Sequence, residues 1–250
     1  MYECTEVILP DSITTIGTNA FEYCSLSKIT LSNNLTEMGQ TAFADCENLV
    51  SVDIPASLKE IPFYAFCDCS ALSNVTLHEG LEVIGANAFW VCRSLSSVSI
   101  PTTVTEIGGS AFASSGLTSA VIPGNVVTLG ASAFAFCENL TYVKIAPGLK
   151  YLGEHAFYGC KLLTEMQQIE LPDGILEIGG NPLAETPVYT NAADDAAKNK
   201  TFFTFSVNGY LFKMTDSYIE KDKRPLSVSI TGNIVADAAV GLNSVQSVTV

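Results

Sequence analysis

The stretch Ser51–Val83, SVDIPASLKEIPFYAFCDCSALSNVTLHEGLEV, holds one complete structural unit and the start of the next. A short apolar run ends in Ile54-Pro55. A second run, Leu58-Lys59-Glu60-Ile61, follows. Ala65-Phe66, Cys69 and Leu72 come next, and Val75-Thr76-Leu77 opens another run of the first kind. Most of the chain copies this unit. Its Ala-Phe pair closes at Phe21, Phe43, Phe66, Phe89, Phe112, Phe134 and Phe157, at intervals of 22, 23, 23, 23, 22 and 23 residues. Three residues after each Phe stands Cys24, Cys46, Cys69, Cys92, Ser115, Cys137 or Cys160. The next Leu follows Phe by six residues in five copies, and by five at Leu26 and Leu117, the copies with the shorter interval. Deletions confined to the Cys-to-Leu link, with the apolar frame kept, mark that link as a loop. A period of this size is the signature of a solenoid, in which each unit buries its apolar face only against its neighbours.

Within a unit, Leu49, Val52 and Ile54 point one way while Ser51 and Asp53 point the other. That alternation, closed by Pro55, predicts a short half-buried strand. The same run recurs at Ile29-Thr30-Leu31, Val98-Ser99-Ile100 and Val143-Lys144-Ile145. Units that run in the same direction stack their strands in parallel, roughly 4.8 Å apart. The second run, as in Val104-Thr105-Glu106-Ile107-Gly108, reads as another extended segment ended by a glycine turn. The Ala-Phe segment is too short for a regular helix and is expected to make one helical turn, its Phe filling the interior.

The unit LxxVxIPxxVTEIGxxAFxxC resembles the BspA-type leucine-rich repeat, a family of surface proteins of bacteria and some protists. Leu95-Ser96-Ser97-Val98-Ser99-Ile100-Pro101, Val104 to Gly108 and Ala111-Phe112 carry the resemblance almost letter for letter. It covers roughly residues 4–184 and resumes near Ser227. The resemblance implies an α/β fold, a leucine-rich-repeat solenoid wound as a right-handed β/α superhelix. It also implies adhesion or other protein binding at the cell surface, in a secreted or surface-held protein whose signal and anchor are not in this chain.

The regular array ends near residue 184, after a small insertion at Leu163–Gln168 and a copy in which Pro182-Leu183 replaces Ala-Phe. Residues 185–226 read as an insert packed on the array. Asn191 begins a stretch with acids early and Lys198 late, which suits a short capped helix. Phe202–Val207 and Tyr210–Met214, joined by Asn208-Gly209, read as a β-hairpin, because Asn and Gly both tolerate positive φ. Thr186-Pro187-Val188-Tyr189 matches a segment that precedes a comparable hairpin in family members. The loop Asp216–Arg224 is charged. Residues 227–250 resume the repeat from Ser227-Val228-Ser229-Ile230-Thr231, truncated, and the whole is expected to be one continuous domain. Cys4 sits where a Leu normally stands and Ser247-Val248-Thr249-Val250 is a strand without its turn. These ends read as those of a segment of a longer array; the alternative is a complete protein with a frayed end, or one that self-associates end to end or edge to edge.

Composition narrows the partners. The 250 residues are 48% hydrophobic and 15% charged, as in a folded, core-rich protein. Twelve Lys and Arg against 26 Asp and Glu give a net charge of −14. Such a chain repels phosphate, which argues against nucleic acid and against anionic membrane surfaces. No apolar run is long enough to span a bilayer, and Met1-Tyr2-Glu3-Cys4 does not begin a signal peptide. No cofactor is implied. Two His and no CxxC argue against a metal site.

The cysteine column puts Cα atoms of neighbouring rungs within disulfide range. Buried free thiols acting as small apolar residues are the favoured alternative, since Ser115 fills the slot and parallel-stacked side chains point alongside one another. Cys67-Asp68-Cys69 reads as one ladder Cys with an incidental neighbour. His78, in a Pro position after a strand, and His155, before Ala156-Phe157, lie more than three units apart and read as surface residues. Glu37 and Glu60 hold the same place in neighbouring copies, about 5 Å apart if stacked, which is a retaining-glycosidase separation. An outward-facing position beside Lys59 makes a solvated pair the favoured reading, so no catalytic residue is assigned. Trp90 and Tyr158, each just after its Phe, read as partly buried aromatics of the turns.

The outward strand rungs are the face expected to bind. Mid-strand they are Ile8, Thr30, Asp53, Thr76, Ser99, Val121, Lys144 and Glu170, and one residue earlier Glu6, Lys28, Ser51, Asn74, Ser97, Ser119, Tyr142 and Gln168. Thr30, Asp53, Thr76, Ser99, Tyr142 and Lys144 are the candidate contact residues, on a polar surface suited to a protein or glycan. The functional expectation is a non-enzymatic, adhesin-like interaction module. A structural spacer is the main alternative and a carbohydrate-active enzyme the third.

Overall fold

The computed structural model describes residues 4–191, together with 203–207, 210–215, 227–229 and 247–249. The chain winds into a stack of coils, and neighbouring coils are tied together by up to three separate rows of backbone hydrogen bonds.

The first row is the predicted strand. Glu6–Ile8, Lys28–Thr30, Ser51–Ile54 and Asn74–Leu77 form one parallel sheet, and Ser119–Ile122, Tyr142–Ile145 and Ile169–Glu170 another. Their burial alternates as the sequence pattern requires: Val52 and Ile54 are buried while Asp53 is exposed. The second row comprises two-residue strands. Thr15–Ile16 pairs with Glu37–Met38, and Glu60–Ile61, Val83–Ile84, Glu106–Ile107, Thr128–Leu129, Tyr151–Leu152 and Glu177–Ile178 form one continuous parallel sheet. A glycine ends most of these strands, and its N–H donates to the preceding coil, as Gly130 does to the Ile107 carbonyl at 2.8 Å. A Cβ on Gly130 would lie 2.4 Å from the Gly109 nitrogen, so the coils approach too closely there for a side chain.

Pro62 stands in one of these glycine positions. It has no N–H to donate, and among the described residues no hydrogen bond or strand pairing joins Lys59, Glu60 or Pro62 to the coil before. The second sheet is therefore divided between Glu37–Met38 and Glu60–Ile61. The first sheet is divided elsewhere. Ser97–Ile100 is exposed or half-buried and is not in a strand.

The third row corrects the expected helical turn. The Ala-Phe segments are runs of turns in which the residues two before and two after each Phe take positive φ. Asn19 and Tyr23 flank Phe21, Asn87 and Val91 flank Phe89, and Ser132 and Phe136 flank Phe134. Alternate N–H groups then point along the stack. Asp45, Phe43 and Thr41 donate to the carbonyls of Cys67, Ala65 and Phe63 at 2.8, 2.9 and 3.1 Å. The intervening amides close local turns, such as Ala44 to Thr41 at 3.1 Å. A helical turn would aim its amides within the segment, whereas this alternation gives every second one to the neighbouring coil. The α component of the expected α/β fold is correspondingly small. Among the described residues helix is confined to the 3-10 turn Met166–Gln168 and to 187–191.

That last helix also starts before the expected place. Thr186 caps it, accepting from the Tyr189 N–H at 3.4 Å, and Pro187 takes the first helical position. Asn191 is inside the helix, and 192–198 lie outside the described residues. Phe203–Val207 pairs antiparallel with Tyr210–Thr215, with a register shift between Phe205 and Ser206. Asn208-Gly209, Asp216–Arg224 and Ile230-Thr231 lie outside the described residues. Ser227–Ser229 and Ser247–Thr249 pair in parallel.

The core is a set of columns. Phe43, Phe66, Phe89, Phe112, Phe134 and Phe157 are fully buried, and with Phe21 they stack face to face at centroid spacings of 5.1–5.6 Å. Burying a Phe from water stabilises by about 1.5–3 kcal/mol. Each ring is covered by the coils on either side, so this energy belongs to neighbour contacts. Beside the rings runs the cysteine column. The thiols of Cys46, Cys69 and Cys92 donate to the carbonyls of Phe21, Phe43 and Phe66 at 3.0, 3.1 and 3.2 Å. Ser115 takes the slot with its hydroxyl 3.3 Å from the Cys137 sulfur. All eight cysteines are free thiols.

Candidate functional site

Three exposed regions bring polar side chains from different coils together. The first two lie on the strand face, one on each side of Ser97–Ile100.

On the early side, Thr30, Asp53 and Thr76 are all exposed. Asp53 and Thr76 are register partners. His78 lies two residues further along the neighbouring coil, and its Nε2 is 2.6 Å from Asp53 Oδ1. Lys28, Thr30, Ser51, Asp53 and His78 line an open groove of about 540 Å³, together with Pro55 and Ser57. Lys28 also bonds Glu6 Oε1 at 2.7 Å, so its ammonium is held toward the first coil.

On the late side, Lys144 and Glu170 are register partners, and Lys144 Nζ sits 3.1 Å from Glu170 Oε2. The Tyr142 hydroxyl donates to the other Glu170 oxygen. That hydrogen bond, with the Lys144 ammonium second, holds the Glu170 carboxyl below the usual carboxylate range. The same carboxylate raises the Tyr142 phenol and the Lys144 ammonium. The three side chains form a triad bonded across neighbouring coils, with Lys144 and Glu170 exposed and Tyr142 half-buried. Ser99, between the two clusters, is exposed but lies in no strand, so the six candidate residues divide into two groups and do not form one row.

The third region faces the second sheet. Glu37 and Glu60, with Lys59, Gln40 and Thr36, line an open groove of about 680 Å³ where Pro62 interrupts the ladder. The two glutamates are not register partners in a strand ladder, although both line this groove. Glu37 approaches the Thr15 hydroxyl at 3.5 Å, and Lys59 is held by Glu82 at 3.1 Å. Among the described residues no cluster of three His, Cys, Asp or Glu has a metal-binding geometry.

The residues that sequence reasoning missed are His78 and Glu170 as partners. Asp53 to His78 spans 25 residues, one 23-residue period plus a two-residue step to the next outward position. The signal was there to be counted. Tyr142 to Glu170 spans 28: the insertion near Glu165 lengthens that coil to the 26 residues that separate Lys144 from Glu170, and a two-residue step along the strand adds the rest.

The family described as the BspA type leucine rich repeat region matches residues 1–118 and 107–192 in six copies. The chain belongs to the BspA-type leucine-rich repeat family. The T. pallidum leucine rich repeat protein is 32% identical over 60% of this chain and 73% of its own, with a TM-score of 0.56. A leucine-rich repeat protein from Bacteroides ovatus is 23% identical over 86% of this chain, with a TM-score of 0.59. This chain spans 55% of that protein's length. A leucine rich cell surface protein from Faecalibacterium prausnitzii is 23% identical over 95% of this chain and 70% of its own, with a TM-score of 0.54. No curated protein sequence matches the chain. These relatives share the stacked-coil fold, and among the described residues no helix is long and apolar enough to cross a membrane.

Proposed function

We propose that this BspA-type repeat is a cell-surface, adhesin-like interaction module, and that its strand face binds a host or matrix protein or a glycan. The observation that carries the reading is the pair of preset polar clusters on one face: Asp53 with His78 beside a groove of about 540 Å³, and Tyr142 and Lys144 locked on Glu170. Thr30, Thr76 and Ser99 supply small polar surface between and beside them. Side chains already held by cross-coil bonds lose little rotamer entropy when a partner arrives, which favours recognition by a rigid face. The Faecalibacterium prausnitzii relative is described as a cell surface protein, and the same location is proposed here. We take the array 1–184, the insert 185–226 and the resumed repeat 227–250 to act as one continuous body.

A spacer that holds another domain at a distance is the second reading. The even column of stacked rings favours it, because such a column gives stiffness without needing a ligand. Saturable binding separates the two. The purified chain is titrated on immobilised extracellular-matrix proteins, mucins and glycans at low and high salt. Saturation on one class supports the interaction module. Flat responses across the panel from a folded chain would replace it with the spacer.

A further inference from the structure

Among the described residues, exposed Tyr23, Phe63, Trp90 and Phe136 lie on the turn segments, away from the strand rungs. Trp90, directly after Phe89, is 38% exposed. Tyr158 holds the equivalent place after Phe157, three coils later. The two coils between them carry alanine there: Ala113 and Ala135, both buried as backbone-level floor. The steps between these coils are 5.4, 5.3 and 5.6 Å by the spacing of the underlying phenylalanine rings. Two aromatic walls thus stand on either side of a small-residue floor, and the cleft between them has a volume of about 370 Å³.

Both walls are braced by neighbouring rings, of which Phe136 and His155 also line the cleft. Tyr64 meets Trp90 edge-on at 6.0 Å, and Phe63 meets Tyr64 at 4.1 Å. Across the cleft, Phe136 and His155 each contact Tyr158 edge-on at 5.1 Å. The Tyr158 hydroxyl is taken by Glu185, so this residue offers the cleft its ring. The floor also carries the hydroxyls of Ser110 and Ser132, which make no hydrogen bond within the described residues. His155, beside Glu154 at 3.4 Å, is the one ionisable side chain other than Tyr158 in the lining. The cleft bears no carboxylate and no ammonium, in a chain of net charge −14.

We propose that this cleft is a binding site for a neutral saccharide of about disaccharide length. Aromatic rings present flat apolar faces that match the C–H faces of a pyranose ring. Free serine hydroxyls can donate and accept, as the sugar's own hydroxyls require. A pocket mostly apolar with a few polar groups, in the range of roughly 300–1,000 Å³, is what small-ligand sites share. An uncharged lining in an acidic protein selects an uncharged ligand, since an anionic sugar meets the field of the whole chain. An apolar or proline-rich peptide would use the rings but leave the two hydroxyls unpaired. The site lies on a different side of the coil from the strand rungs and does not depend on their role.

Trp90 is the chain's single tryptophan, so its fluorescence reports on this cleft alone. The full chain is titrated with cellobiose, maltose, lactose and diacetylchitobiose, with a proline-rich peptide as comparison. The expected result is a saturable change in emission with at least one disaccharide, insensitive to salt. Tyr158→Ala weakens it by about tenfold or more, the scale of one lost stacking contact. Ser132→Gly removes a hydroxyl at a position whose φ of 57° suits glycine, so it tests the polar contact without a folding cost. It is expected to weaken binding several-fold. No emission change with any disaccharide, or a response to the peptide alone, would overturn the proposal. So would retention of full affinity by both Tyr158→Ala and Ser132→Gly.

Discussion

Thr41 and Val91 are β-branched residues at φ values of 52° and 63°. Such a conformation is a genuine outlier for that residue type and costs of order 1–3 kcal/mol. The fold tolerates it because the position must send its N–H to the next coil, as Val91 does to Ala113 at 2.9 Å. Other coils fill these places with Asn19, Asp45, Asp68, Asn87 and Gly159, residues that enter the left-handed region readily. Thr41→Asn is therefore expected to stabilise the protein by about 1 kcal/mol, read as a higher urea midpoint. A midpoint that stays or falls would show that the strain is relieved some other way. The thiols make a second residue-scale case. Burial pushes Cys46 and Cys137 up to about 11 and Cys67 up to about 12, and raises Cys69, Cys92 and Cys160 as well. Their folded values lie above the ordinary 9.0, so the protonated column favours folding. That stability is complete below about pH 9 and is lost as pH rises through the folded values. The urea midpoint should hold level to about pH 9 and then decline. In the native protein a thiol reagent should label exposed Cys4 first and the buried rungs only after unfolding. Rapid native labelling of all eight thiols would contradict the packing.

At the scale of elements, much was legible from spacing. The alternation at Val52-Asp53-Ile54 gives the buried and exposed sides of the first strand, and the repeat period gives the parallel register that pairs Asp53 with Thr76. The Ala-Phe segment departs from the expected helical turn because its length and composition fit a run of left-handed and right-handed residues equally well. Its signal is the recurrence of Asn, Asp, Ser and Gly two places on either side of Phe. The helix at 187–191 begins at Thr186-Pro187, a cap and first-turn pair ahead of Asn191, while residues 192–198 of the expected helix lie outside the described residues. The interruption at Ser97–Ile100 has no counterpart in the residue pattern, which matches the repeat there almost letter for letter. The interruption at Pro62 does have one, since proline replaces the donor glycine of the other coils. Pro62→Gly should supply that donor and extend the second sheet through Glu37–Met38. The expected gain is about 1 kcal/mol from the restored hydrogen bond, with slower amide exchange at Glu60 and Ile61. Unchanged exchange there would mean that the gap has another cause.

Across the whole molecule, energy is distributed along columns and no single centre holds the fold. Phe112→Ala empties a ring site between Phe89 and Phe134, where the spacings are 5.4 and 5.3 Å. A loss of about 3–5 kcal/mol is expected. Because each coil touches only its neighbours, the damage should be concentrated there. Amide exchange should quicken at Ser110–Leu117 and the adjoining coils, and change least near Ile16. Uniform acceleration from end to end would describe a more global core than this one. The same linear build leaves separate sides for separate surfaces, and the strand face is the one proposed to bind a protein or glycan. The most direct test is a side-by-side titration of the unmodified chain and the double variant Asp53→Ala/Lys144→Ala. Both are run on immobilised matrix proteins, mucins and glycans, with folding confirmed by matched thermal transitions. Saturable binding by the unmodified chain that falls about tenfold or more in the variant is the result predicted for an interaction module working through its strand face. Equal binding by both, or none by either, would contradict it.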